Sequence, residues 1–311
     1  MKYFIKKSFF FIIPFLIWVT IVCIVDPFNY FNKIHIINDR AKTNAENLNT
    51  LLFRTISFIN SPSKNILIGD SRTDALPQKL IEKFTKKNFK KFNTNAAKLN
   101  EIFELFYFAN NINKIDQVII GINFNMFNKY SFENRVQNME KIIKDPLLYI
   151  FNKDVAQACF YVIRSQLFNI NLNSKPSVSK EEFWKWTIDV KASDWYGKYE
   201  FPEKTYSDLI ELDNFTTKNN IELIFVIVPH HNDFHEKLIE FGLTENEIKF
   251  KKIMSSLNAK VYDYDYFNSI TTNKNNFSDP IHFNDSIGNL IINEIWGNQL
   301  RIGKELNFKS K

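Results

Sequence analysis

Glycine and cysteine are both scarce in this chain: its 311 residues hold 7 Gly and 2 Cys. Two cysteines cannot build a disulfide framework, and Cys23 lies in an apolar N-terminal run while Cys159 lies far beyond it, so stability has to come from packing. With 5 His in all and no Cys/His grouping at zinc spacing, neither a metal site nor a cofactor is expected. No internal repeat and no nucleic-acid-binding motif is present. The 40 Lys and Arg against 34 Asp and Glu give a net charge of +6, but the signs are interspersed apart from Lys86-Lys87 and Lys90-Lys91. That pattern argues against a nucleic-acid partner and leaves a mild preference for an anionic surface such as lipid headgroups or an acidic glycan. The length suits one large α/β domain with a small appendage and is too short for two large domains.

Long hydrophobic runs are also absent, with one exception. Residues 9–25 carry no charge, and with Ser8 they reach about 27 Å as a helix, close to the hydrocarbon thickness of a bilayer. Lys2, Lys6 and Lys7 precede the run and Asp26 follows it. The positive-inside rule then leaves residues 1–7 in the cytoplasm, makes residues 8–25 a single-pass transmembrane signal anchor, and exports everything after it across the cell membrane. No small-x-small cleavage site follows, and Val22 before Cys23 argues against an acylated lipoprotein cysteine. Pro14 is tolerable inside a membrane helix.

After the run, residues 26–62 read as a juxtamembrane stalk. Leu48, Leu51, Leu52 and Ile56 have helical spacing within residues 39–60, and Ser61-Pro62-Ser63 ends it. From residue 63 to about 300, continuous apolar runs at 66–68, 118–122 and 221–228 predict buried parallel strands, with weaker strands at 89–93 and 260–264. Helical patterns at 78–86, 100–111, 206–219 and 244–257 fall between them, which predicts right-handed crossovers and a parallel sheet. Residues 125–215 interrupt the alternation. They carry Trp184, Trp186, Trp195 and Tyr196 with a break at Lys175-Pro176-Ser177, and predict an inserted helical cap whose aromatics pack on the main domain, stack on sugar rings or sit at the membrane interface. Residues 301–311 form a tail.

Three short motifs fall at predicted strand ends, where open α/β sheets gather their active sites. Gly69-Asp70-Ser71-Arg72 follows the first strand, and Ser71 is either a nucleophile or the N-cap of the next turn. Gly121-Ile122-Asn123 follows another strand, with Asn123 as a side-chain donor to an oxyanion and Asn125 as its competitor. Asp279-Pro280-Ile281-His282 sets an acid and an imidazole three residues apart, so that one loop can present both to one serine. Gly69 is expected to permit a tight turn and Gly121 a close backbone approach. His230, His231, Asp233 and His235 are polar loop residues or, together, a substrate or metal group. Arg72 and Lys98 either hold an anion or lie on the surface.

Taken together, Gly69-Asp70-Ser71, Gly121-Ile122-Asn123 and Asp279-Pro280-Ile281-His282 resemble, in chain order, the blocks of the SGNH (GDSL-type) hydrolase superfamily. The resemblance implies a flavodoxin-like, three-layer α/β fold around a parallel sheet, and serine-dependent ester hydrolysis or acyl transfer. It assigns Ser71 as nucleophile, His282 as base and Asp279 as the acid that orients it. The oxyanion would be held by the amides of Ser71 and Lys98 with the Asn123 side chain. Lys98 stands where the second block usually has glycine, and Phe124 follows Asn123 where an acid is common. The segment from Asp279 through Asn284 and Gly288 is similar to membrane-anchored bacterial members, which implies a cell-envelope glycan as substrate and a membrane-bound acyltransferase as partner. A non-catalytic binding or assembly protein on the same fold is the alternative.

Overall fold

The computed structural model describes residues 2–168, 179–297 and 299–307, and at 2–9 and 11 the backbone alone. The break expected at Lys175-Pro176-Ser177 and the last four residues of the tail, 308–311, lie outside the described residues.

Helix α1 (Lys2–Val25) takes the apolar run. The chain leaves it through a turn in which Asp26, Asn29 and Asn32 have positive φ (39°, 58° and 50°), a backbone region that Asp and Asn enter more readily than other side chains. Asp26 is buried, and its carboxylate accepts the N–H groups of Tyr30 (2.7 Å) and Asn32 (2.8 Å). Helices α2 (Asp39–Leu48) and α3 (Thr50–Asn60) follow, each started by an asparagine whose side chain accepts a first-turn N–H. The single helix expected within residues 39–60 is therefore two, divided at Asn49.

Strand β1 (Asn65–Ile68) leads through a 3-10 turn, Ser71–Ala75, to α4 (Gln78–Thr85), β2 (Phe89–Lys91), α5 (Leu99–Ile112) and β3 (Gln117–Ile122). Next come α6 (Arg135–Lys144), α7 (Pro146–Ile150) and α8 (Lys153–Phe168), then α9 (Lys180–Trp186) and α10 (Ala192–Tyr196), joined by a π-helical turn. The chain continues through α11 (Glu203–Lys218), β4 (Glu222–Ile227), α12 (Asn232–Glu240), α13 (Thr244–Ser255) and β5 (Lys260–Asp263). The hairpin β6 (Phe277–Asp279) and β7 (His282–Phe283), helix α14 (Asp285–Trp296) and strand β8 (Lys304–Glu305) complete it.

These elements form two compact units, Met1–Ser61 with Arg135–Pro176, and Pro62–Asn134 with Ser177–Lys311. Among the described residues the first is all helix, with α2 and α1 packed on α8 and α3 on α6. This corrects two expectations. Residues 26–62 are not a separate stalk, because Ala41, Ala45, Leu52 and Ile56 bury one face of α2 and α3. The insertion expected at 125–215 is not one cap, because α6–α8 belong with the N-terminal helices while α9–α11 belong with the sheet. Among the described residues no helix is both long and apolar enough to cross a membrane.

The second unit is the expected α/β fold. Its sheet has the order β2-β1-β3-β4-β5-β8, parallel throughout except for β8 at the edge. Every residue of β1 and β3 is buried, which is why both strands read as unbroken apolar runs rather than as alternating ones. In register, Ile68 pairs with Ile120, Ile122 with Ile227, and Ile227 with Asp263. The segments that start at Gly69, Asn123, Val228 and Tyr264 therefore leave the same edge of the sheet, where ligands of such sheets bind.

Candidate active site

The nucleophile turn is built by Asp70 and Thr73. Asp70 caps it by accepting the Arg72 N–H at 3.0 Å, so Ser71 is not needed as the cap. Thr73, fully buried, lies against the backbone of both neighbouring strands. A Cβ added at Gly69 would stand 2.0 Å from the Thr73 hydroxyl, and one at Gly121 would stand 2.4 Å from it. Neither glycine has positive φ. Both glycines therefore make room for Thr73, which corrects the expectation that Gly69 serves a tight turn and shows that the close approach at Gly121 is that of the Thr73 side chain.

The Ser71 Oγ lies 2.8 Å from His282 Nε2, although 211 positions separate them. On the other side of the ring, His282 Nδ1 lies 2.7 Å from Asp279 Oδ2. Asp279 also accepts the N–H groups of Ile281 (2.9 Å) and His282 (3.0 Å) through Oδ1. Burial alone would raise the pKa of this carboxyl, but the bonds from the His282 ring and from the two amides outweigh it and hold it below the ordinary value. An ionised Asp279 accepts the Nδ1 proton, which leaves the Nε2 lone pair facing the serine. The Asp279 side chain is 11% exposed and that of His282 33%, so the acid is shielded while the imidazole can be reached. The loop is pinned from the next strand end, where His231 donates its N–H to the Pro280 carbonyl at 2.8 Å.

Two of the expected oxyanion donors are already occupied. Asn123 is fully buried, and its Nδ2 donates to the Val228 carbonyl (2.6 Å) and to Asp265 (3.2 Å), which ties β3 to the end of β4. The Lys98 N–H starts α5 by donating to Glu101 Oε2 at 3.1 Å. These are corrections to both assignments, and their cause is the same: each donor satisfies a local structural need first. The N–H of Ser71 has no acceptor among the described residues. Asn125 stands at the same edge. Its Oδ1 accepts from Arg72 Nη1 at 3.1 Å, and because a guanidinium only donates, that contact turns the Asn125 amide nitrogen away from Arg72.

Arg72 itself is 1% exposed, which excludes the surface and anion-binding roles. Its Nε lies 2.8 Å and its Nη2 2.7 Å from Asp70 Oδ2, its Nη1 lies 2.8 Å from His230 Nε2, and the guanidinium stands 5.4 Å from the Trp195 ring centre. His230 must accept there, so its proton sits on Nδ1 and is donated to Asp265, 2.8 Å away. Burial, the Arg72 charge and the His235 charge keep His230 below the usual histidine pKa in spite of Asp265. His235, 3.3 Å from Asp265, goes the other way: burial lowers it, but the carboxylates of Asp265 and Glu247 outweigh that and raise it to about 9. Lys251 closes the cluster at 3.0 Å from Asp263.

His230, His235 and Asp265 offer ligand atoms within 4.8 Å of one another, the spacing of a metal site. The chemistry of the group does not fit one. Both nitrogens of His230 are committed, one to Arg72 and one to Asp265, and a protonated His235 repels a cation. Of the expected group, Asp233 instead accepts from Trp184 Nε1 at 2.8 Å and lies 3.3 Å from Lys274. Sequence reasoning missed Thr73, Asp265 and the buried pairing of Arg72, and named Asn125 only as the competitor of Asn123. Only the bare fact that Arg72 adjoins Ser71 pointed to the Arg72 pairing.

No family model matches the chain, and no curated protein matches it either. Solved structures with which it shares likeness include a protein provisionally assigned to the G-D-S-L lipolytic family from Desulfitobacterium hafniense, at 12% identity and a TM-score of 0.37, over 76% of this chain and 98% of that one. A protein provisionally described as an acylhydrolase from Bacteroides fragilis gives 12% identity and 0.37 over 76% and 89%. One provisionally described as a platelet activating factor from Streptococcus pneumoniae gives 11% and 0.37 over 84% and 98%. Likeness this distant says nothing by itself of what the chain does, and the Ser71–His282–Asp279 geometry has to carry that weight.

Proposed function

We propose that this chain is a serine-dependent ester hydrolase or O-acyltransferase of the SGNH type, held at the outer face of a cell membrane by residues 8–25 and acting on a glycan of the cell envelope. The observation that carries the chemistry is the hydrogen-bonded relay from Ser71 through His282 to Asp279 at the carboxyl edge of a parallel sheet. His282 Nε2 takes the Ser71 proton as Oγ attacks the ester carbonyl. The oxygen then carries the negative charge and is met by the Ser71 N–H and the Asn125 amide. The tetrahedral centre collapses, the C–O bond to the leaving alkoxide breaks, and His282 returns the proton to it. Water or a sugar hydroxyl, deprotonated by the same imidazole, then attacks the acyl carbonyl, the bond to Ser71 Oγ breaks, and His282 returns the proton to that oxygen. Asp279 fixes the ring and offsets its charge. The chemistry needs no metal or cofactor. The anchor and the export rest on the uncharged run and the lysines before it, and the glycan on the resemblance of the His282 segment to envelope-acting members.

The test is labelling by a fluorophosphonate probe, with the wild-type chain labelled and Ser71→Ala unlabelled. Labelling that persists in Ser71→Ala would discard the mechanism. A second reading, a non-catalytic envelope-assembly protein in which an acyltransferase partner does the chemistry, is favoured by the occupied donors on Asn123 and Lys98. It expects no labelling of the wild-type chain.

A further inference from the structure

Helix α7 is short, and with Phe151, the residue that follows it, it points three large apolar side chains outward. Leu147 is 61% exposed, Leu148 49% and Phe151 49%. Single exposed apolar residues are ordinary, but these three adjoin a second apolar surface. The ring of Phe151 stacks on that of Phe15 in α1 with centroids 5.0 Å apart, and Trp18 Nε1 donates to the Ile150 carbonyl at 3.0 Å. Around that contact Ile12, Leu16 and Ile17 of α1 are exposed as well. The outward faces of α7 and α1 are thus continuous.

The level of that contact decides what covers it. Phe15 and Trp18 stand seven to ten residues before Val25, which is about 10–15 Å along the helix axis. The part of the apolar run that precedes Phe15, from Ser8, is only about 10 Å long and cannot cross a hydrocarbon layer of about 30 Å alone. A span that uses the whole run therefore carries α7 below the outer boundary of the bilayer. We propose that α7 is a wedge in the outer leaflet, with Leu147, Leu148 and Phe151 among the acyl chains beside the anchor. This rests on the anchor reading and adds a second point of attachment to it.

The flanks of α7 fit that placement. Asp145 is spent inside the helix, accepting the Leu147 N–H at 2.8 Å. Lys144, which pairs with Glu140 at 2.6 Å, and Lys153 are exposed on either side. Their long stems can lie along apolar surface while the ammonium groups reach phosphates. Tyr30 stacks on the buried Tyr149 with ring centres 4.1 Å apart and donates its hydroxyl to the Ile143 carbonyl, and this half-buried Tyr30 is an amphipathic aromatic of the kind that sits at a membrane interface. A protein partner would cover apolar side chains equally well. Lipid is favoured because the face continues onto a helix that is itself apolar on its outward side.

The full-length chain, with Cys23 and Cys159 replaced by alanine, is reconstituted in vesicles of phosphatidylcholine and phosphatidylglycerol. Leu148→Cys is labelled with the environment-sensitive dye NBD, and exposed Lys252→Cys in α13 serves as control. The melting temperature of each variant checks its fold, with Phe151→Cys as the replacement position if Leu148→Cys melts early. The expected result is blue-shifted emission at the α7 position and quenching by acyl-brominated lipid about twofold or more stronger than at 252. Water-like emission at 148 in a chain that still floats with the vesicles overturns the wedge and leaves the anchor standing. Blue-shifted emission without bromine quenching means that protein covers α7 and overturns it too. A chain that does not float with the vesicles removes the anchor and the wedge together.

Discussion

Replacing Asn123 and Asn125 in turn separates a structural amide from a catalytic one. Asn123→Ala removes two buried hydrogen bonds and leaves the Val228 carbonyl without its donor at 2.6 Å. Each lost bond costs about 1 kcal/mol, and the stranded carbonyl and small cavity bring the total to roughly 2–3 kcal/mol. For a sheet unit of this size that lowers the melting temperature by roughly 5–10 °C. Turnover of 4-nitrophenyl acetate well below the melting temperature should change less than about threefold, because the Asn123 amide nitrogen faces Val228 and Asp265 rather than a substrate. Asn125→Ala should do the reverse. Its loss of an oxyanion donor costs about 3 kcal/mol in the transition state, or roughly 100-fold in kcat, while fluorophosphonate labelling remains because serine and base are intact. The lost acceptor for Arg72 adds a stability loss of about 1 kcal/mol. A 100-fold fall in kcat for Asn123→Ala with an unchanged melting temperature, and no fall for Asn125→Ala, would refute the reassignment and restore the reading made from the motif.

Asp279→Asn should keep the fold and lower kcat by about 10⁴-fold, because the amide nitrogen donates to His282 Nδ1 and puts the ring proton on Nε2, where it cannot accept from Ser71; pre-steady-state hydrolysis kinetics measure it. Gly121→Ala should lower the melting temperature through the contact of its Cβ with Thr73, at a cost of roughly 1–3 kcal/mol, and Thr73→Ala in the same chain should restore part of it. For His235 the folded pKa is raised to about 9 from 6.5, so the stability it contributes is complete below pH 6.5 and lost as pH rises through about 9. The raise of about 2.5 units corresponds to roughly 3 kcal/mol, so the gap in melting temperature between wild type and His235→Gln should be widest near pH 6 and close by about pH 10; a gap independent of pH would contradict it.

The sheet could be read in the sequence because burial on both faces leaves short unbroken apolar runs such as Val118-Ile119-Ile120, bounded by polar residues and spaced by helical patterns. The Ser71, His282 and Asp279 set could be read for a related reason: its members are fixed in type by the reaction, Ser71 follows one of those same runs, and Asp279 and His282 stand three residues apart in one hairpin. The choice between the two asparagines as side-chain oxyanion donor could not. Asn123 and Asn125 are alternate positions beside one strand end, and Asn123 is taken up by a carbonyl at Val228 and an acid at Asp265, more than 100 positions away. The helical unit was hidden for the same kind of reason, since nothing local to residues 39–60 tells α2 that its partner is α8.

The buried pairs beside the nucleophile are costly to desolvate, so their presence needs a reason other than stability. Replacing Arg72 and Asp70 by apolar residues of similar volume would remove the desolvation cost and keep the packing. It would also remove the three contacts that fix the residue following Ser71: to Asp70, to Asn125 and to His230. A nucleophile has to hold its Oγ at 2.8 Å from an imidazole carried on a separate loop, and a shift of 1 Å would break that bond. His230 is held by Asp265, Asp265 is held by Asn123, and His231 next to it holds the Pro280 carbonyl of the histidine loop. The same chain of donors therefore reaches both halves of the relay. Its charges alternate along the line from Asp70 to His235, which lets each group stay buried without an unpaired neighbour. On this argument the buried ions contribute register between two loops, and the loss of Asp70 or Arg72, the members that adjoin Ser71, should be felt as misplacement of Ser71 against His282 before it is felt as unfolding.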